Sequence, residues 1–79
     1  MPSLDQLTVG QRARITGYHK GNTPLLQRLL EMGLIRGTEV EVLRFAPLGD
    51  PMEIAVRGYQ LSMRLREAAL VEVELLIPK

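Results

Sequence analysis

The period of the hydrophobic positions changes along the chain, and the changes divide it into elements. From Arg12 to Tyr18 polar residues alternate with small or apolar ones, the two-residue period of a half-buried strand. Gly17 inside that run predicts a bulge or sharp bend. From Leu25 the spacing becomes helical. At about 100° per residue, Leu25, Leu26, Leu29, Leu30 and Met32 span about 160° of a helix surface, and Gln27, Arg28 and Glu31 fill the opposite side. Thr23 is placed to cap this helix, Pro24 to occupy its first position, and Gly33 to stop it in the left-handed conformation. A helix of about nine residues persists only when docked.

Beyond a turn over 34–38, Glu39 to Phe45 alternates again, with Glu39 and Glu41 on a wet face and Val40 and Val42 on a dry one. The segment from Ala46 to Pro51 holds two prolines and a glycine, which predicts an exposed loop. Met52 to Arg57 reads as a second strand ending at Gly58, and Tyr59 to Arg64 as another. Arg66 to Ala69 makes one helical turn. Leu70 to Leu75 closes the pattern with Val71, Val73 and Leu75 on one face. At the start, Leu4 and Leu7 form a one-turn anchor, and Val9 to Gln11 a turn. Five short strands, one helix and a helical turn in 79 residues make a mainly β fold. Two flat stacked sheets would leave too little core at this size, so a small, partly closed barrel capped by the helix is expected.

Composition narrows the function. A chain of 79 residues, 46% hydrophobic and 24% charged, is expected to fold as one domain over residues 1–79. The absence of cysteine excludes disulfides, thiolate nucleophiles and Cys-ligated metal centres. A net charge of +1 and a pI near 8.2 do not favour nucleic acid as partner. Three aromatics (Tyr18, Phe45 and Tyr59) offer no stacking platform for bases. No apolar run has the length of a membrane span, and the first residues carry no secretory signature, so a soluble cytoplasmic protein is expected.

The candidate chemistry is sparse. His19 stands alone as a histidine and reads as a solvated loop residue. Asp5, Asp50 and Glu53 do not match a calcium loop. The glycines serve turns rather than a phosphate cradle, and Ser3 and Ser62 have no base near them in sequence. Eight of the ten basic residues are arginines. Arg44, Arg57, Arg64 and Arg66 could form a patch, but Glu53, Glu67, Glu72 and Glu74 on neighbouring elements predict surface ion pairs instead. No enzyme activity, cofactor or metal is expected.

Three stretches carry a resemblance: Leu29-Leu-Glu-Met-Gly-Leu-Ile-Arg-Gly-Thr-Glu-Val-Glu-Val42, then Ala46-Pro-Leu-Gly-Asp-Pro-Met-Glu-Ile-Ala-Val-Arg-Gly58, then Leu61-Ser-Met-Arg64 with Glu67-Ala68 and Leu70-Val-Glu-Val73. With the opening Leu4-Asp-Gln-Leu-Thr-Val-Gly10, the chain resembles the FeoA family over nearly its whole length. The resemblance implies an SH3-like barrel with no enzymatic activity. It also implies a role in ferrous iron uptake through the cytoplasmic G-protein region of the FeoB permease, the membrane being met only through that partner. The runner-up is an SH3-like module of transcription, nucleic-acid-binding or repressor-associated. Binding to duplex DNA with a steep salt slope would reveal it. Weak self-association is allowed for. The expected partner surface is the helix exit. There Leu30 and Met32 lie at the edges of the apolar arc, beside the charged rim of Arg28 and Glu31, in the pattern of an interface anchor.

Overall fold

The computed structural model of the chain describes residues 2–21 and 23–77. Its strands are β1 (Arg12–Tyr18), β2 (Glu39–Phe45), β3 (Met52–Val56), β4 (Tyr59–Met63) and β5 (Val71–Leu76). They form one antiparallel sheet in the order β4-β3-β2-β1-β5. A 3₁₀ turn over Leu4–Gln6 precedes β1, helix α1 (Thr23–Glu31) joins β1 to β2, and the short helix α2 (Leu65–Ala68) joins β4 to β5.

The sheet curls because two of its strands are bulged. The β1–β5 register shifts between Ile15 and Gly17, where the glycine predicted a bend, and the β2–β3 register shifts between Val42 and Arg44, where no glycine announces it. Ala13, Ile15, Val40, Val42, Ile54, Val56, Val71 and Val73 line the concave side, and Leu4 and Leu29 close it from the 3₁₀ turn and α1. All of these are essentially inaccessible to solvent. Burial of this shared face holds together elements too short to persist alone.

Helix α1 ends by a double hydrogen bond. The Gly33 N–H donates to the Leu30 carbonyl at 3.0 Å and the Leu34 N–H to the Leu29 carbonyl at 3.2 Å. Gly33 has φ of 91°, so the left-handed stop is where the sequence put it. The helix begins at Thr23, which is its first residue rather than its cap, with Pro24 second. The position before it lies outside the described residues.

Three expectations about strands and charges are corrected. β3 stops at Val56, one residue early, because Arg57 (φ 47°) and Gly58 (φ 85°) together form the two-residue turn into β4. Positive φ at both central positions gives the twist that adjacent strands need. Leu75 is 39% exposed despite its place in the alternation, since it sits near the end of β5 beside a groove of about 340 Å³ bordered by Gly10, Arg12 and Ile77. His19 is an exposed loop residue as expected, with its Nδ1 3.1 Å from Glu72 Oε2 of β5. Of the ion pairs expected around Arg44, Arg57, Arg64 and Arg66, Arg44–Glu53 forms at 2.8 Å. The other acids go elsewhere, Glu74 to Arg14 and Glu67 to Arg28. The loop from Ala46 to Pro51 is exposed as expected, with Leu48 97% accessible. No described helix is long and apolar enough to cross a membrane.

Candidate functional site at the exit of the helix

The sequence marks Arg28, Leu30, Glu31 and Met32, and the structure sorts them. Leu30 points outward from α1 with 45% of its surface exposed. Met32 is half-buried and packs against the core. Its carbonyl, left without a helical partner at the end of α1, accepts a hydrogen bond from the Tyr59 hydroxyl. Tyr59 therefore fastens the start of β4 to the end of α1, and its ring stays partly exposed. Ile35, just past the turn, is exposed to a similar degree. Leu30, Ile35 and Tyr59 thus place apolar surface around one turn of backbone, with Glu31 exposed at the helix end.

Arg28, expected in the charged rim, is exposed and also has a fixed partner. Its Nη1 lies 3.5 Å from Glu67 Oε2, and the Glu67 side chain is almost wholly buried. The other oxygen, Oε1, accepts the Arg64 N–H at 2.8 Å and so closes the first turn of α2. Asp50 adds a second anchor, its Oδ1 accepting the Leu65 N–H at 3.1 Å. A buried carboxylate is tolerated here because it has both a charge partner and a backbone donor. Arg28 thereby ties α1 to α2, and an acidic replacement would set two carboxylates together.

Thr38, also buried, donates through Oγ1 to the Gly33 carbonyl at 3.4 Å and accepts from Arg57 Nη2 at 3.4 Å. Thr38 thus links the α1 stop to the β3–β4 turn. Elsewhere, burial pushes the Tyr18 hydroxyl above its ordinary pKa, with Arg36 pulling the other way. Among the described residues no three His, Cys, Asp or Glu side chains converge on a point where a metal could sit.

Sequence reasoning missed Tyr59, Ile35 and Glu67. The Arg57-Gly58 pair between two alternating segments was a hairpin signal for Tyr59. Glu67 stands three residues after Arg64, the spacing of a capping box, but arginine in the cap position conceals it. Ile35 had no local signal.

The mainly β, five-stranded sheet with one short helix makes this an SH3-like protein. The sequence model of the FeoA domain matches residues 3–75, and the chain belongs to the FeoA family. It is 37% identical over 73 residues to an Fe(2+) transport protein A/Fe(2+) transporter FeoB fusion protein of Porphyromonas gingivalis. That stretch covers 92% of this chain and 8% of the relative, so the chain spans a small fraction of the relative's length. The solution structure of FeoA from Chlorobium tepidum superposes with a TM-score of 0.87 at 41% identity, covering 96% of this chain and 71% of that one. A zinc-complexed FeoA from Stenotrophomonas maltophilia, described as a procaryotic SH3 domain protein and suggested as a ferrous iron transport activating factor, gives a TM-score of 0.81 at 26% identity. There the coverage is 94% of this chain and 91% of that one.

Proposed function

We propose that this chain is a non-enzymatic cytoplasmic accessory protein of ferrous iron uptake that binds the G-protein region of a FeoB-type permease and modulates iron(II) transport. The observation that carries this reading is the Porphyromonas gingivalis relative, in which the matching stretch and FeoB share one polypeptide. A domain fused to a transporter in one organism is a natural non-covalent partner of that transporter in another, because fusion replaces a binding equilibrium with a high effective concentration. The exit of α1 is the surface we assign to the contact. It offers Leu30 as an exposed apolar anchor, with Ile35 and Tyr59 near the same turn and Arg28 and Glu31 as a charged rim.

The test is calorimetric titration of the chain with the separately purified G-protein domain of FeoB, with and without GTP. Leu30→Glu should weaken binding about tenfold or more, since a charge would enter a desolvated anchor position. Its unfolding midpoint should stay close to that of the parent, because Leu30 is not part of the buried core. Undiminished binding by the folded variant would move the contact off α1. No binding by the parent would overturn the partnership.

A further inference from the structure

The two edges of the sheet are treated differently, and the difference points to a second docking surface. β5 is guarded. Ser3 bridges to Glu72, the Val73 N–H donates to the Pro2 carbonyl at 3.0 Å, and Glu72 and Glu74 place charge on the strand. β4 pairs with β3 and, among the described residues, with no other strand. Its sequence, Tyr59-Gln-Leu-Ser-Met63, holds no charge and no proline, and its pairing with β3 is unbroken by any bulge. It therefore lacks the usual devices that blunt an edge. Val56 and Tyr59 flank a two-residue turn and form a hydrogen-bonded pair. The alternation of antiparallel pairing then directs the N–H and C=O of Gln60 and Ser62 away from β3. Both residues are exposed.

Charge selects the occupant. Arg57 lies just before β4, and Arg64 and Arg66 just after it. All three are exposed, and none has a carboxylate partner among the described residues. Arg64 and Arg66 line a shallow cleft of about 350 Å³ with Asp50, whose Oδ1 is already taken by the Leu65 N–H. A second copy pairing antiparallel through β4, with Gln60 opposite Ser62, would set Arg57 of each molecule against the Arg64 end of the other. Like charges at both ends oppose that pairing. We infer that β4 is a strand-addition site for an extended segment of a partner protein, with alternating apolar and polar residues in the middle and acidic residues at both ends. Main-chain bonds to Gln60 and Ser62 supply the docking. Tyr59 and half-buried Leu61 receive the apolar residues, and Arg57, Arg64 and Arg66 receive the acids.

This inference does not rest on FeoB or on the α1 contact, although Tyr59 borders both surfaces, and its test keeps them apart. The probe is a nine-residue peptide with a Val-Thr-Val-Thr-Val centre and two acidic residues at each end, titrated to about 1 mM against the ¹⁵N-labelled chain. The amides of Gln60 and Ser62 should shift and exchange about tenfold more slowly when the peptide is bound. A control with lysines in place of the acids should bind about tenfold more weakly, and so should the parent peptide to Arg64→Glu. Ser62→Pro, which removes an outward donor while leaving the β3 ladder intact, should abolish binding. Leu30→Glu should leave peptide binding unchanged, so losing the FeoB contact does not remove this one. Three results would each overturn the inference. They are no shift at Gln60 and Ser62, equal binding of the lysine control, and protection of these amides that grows with protein concentration without peptide, which would make a second copy the occupant.

Discussion

One sheet has two edges here, and they are built on opposite principles. At β5 the chain covers itself. The N-terminal segment adds a bridge at Ser3 and a hydrogen bond from Val73 to Pro2, held in place because Leu4 and Leu7 sink into the core directly behind it. At β4 no further strand among the described residues pairs with the edge, and the nearest arginines lie beyond its ends. Open edges invite association, so a protein leaves one bare at a risk. The α1 exit meets this bare edge, through the bond from Tyr59 to the Met32 carbonyl, and is itself a place where apolar side chains stay exposed. It is the edge backbone that is treated differently, covered at β5 and bare at β4. Apolar side chains stay exposed on both sides, Leu75 and Ile77 at the end of β5 and Leu30, Ile35 and Tyr59 at the α1 exit.

The largest effect that could break this contrast is expected from Leu4→Ala. Leu4 is fully buried, and its loss should cost about 2–5 kcal/mol, a large part of the stability of a small domain. It should also release the cover of β5, so that the Val73 amide, bonded to Pro2, exchanges faster while the Gln60 amide is unchanged. Denaturant unfolding and hydrogen exchange measure both. A Val73 amide still protected in the variant would show that the N-terminal segment is held by something other than this anchor.

A smaller effect sharpens the other side. Gly58 has φ of 85°, and Gly58→Ala should cost about 1–2 kcal/mol because a β-carbon is disfavoured there. An added Cβ at this position would meet no neighbouring atom, so the penalty is purely conformational. The loss should appear as faster exchange in the β3–β4 hairpin, with β5 unaffected. An effect spread evenly over both edges would show that the sheet opens as one cooperative unit, and the contrast would then hold for the surface alone.

These edges also mark what could be read in the sequence. Helix α1 and its Gly33 stop are local events, set by the spacing of leucines and one left-handed residue, and apart from a start one position early, at Thr23, they fall where expected. The strands from Arg12 and from Glu39 follow from alternation alone. The β3–β4 turn was blurred because Arg57, with its side chain directed to Thr38, adopts a conformation usually taken by glycine or asparagine. The bulge between Val42 and Arg44 has no residue that announces it. At the helix exit, Leu30 and Met32 both stand at the margin of the apolar arc. Which of them turns outward depends on how the turn after Glu31 folds back and on Tyr59, a residue distant in sequence. The Arg28–Glu67 pair is likewise a product of the tertiary fold, since it joins two helices on either side of the β2–β3–β4 meander.

The smallest expected effect belongs to Leu48, and it tests whether exposure by itself marks a contact. Leu48 is 97% accessible, more than any residue at the α1 exit, yet it sits at the tip of a turn rather than on a surface. The turn is held by its own backbone. The Gly49 N–H donates to the Ala46 carbonyl at 2.7 Å, the Ala46 N–H to the Pro51 carbonyl at 2.9 Å, and Asp50 reaches the Leu65 N–H. None of these bonds uses the Leu48 side chain, so Leu48→Ser should change stability by less than about 0.5 kcal/mol. A loss of about 2 kcal/mol or more on thermal unfolding would mean that Leu48 is buried against the protein in solution. With stability unchanged, the same variant reads out binding cleanly. An isolated apolar side chain on a loop tip has no neighbouring apolar surface to complete a desolvated anchor. Leu48→Ser should therefore bind the FeoB G-protein domain as the parent does, whereas Leu30→Glu should not. Weakened binding by the folded Leu48→Ser variant would extend the contact surface along the β2–β3 loop, away from the exit of α1.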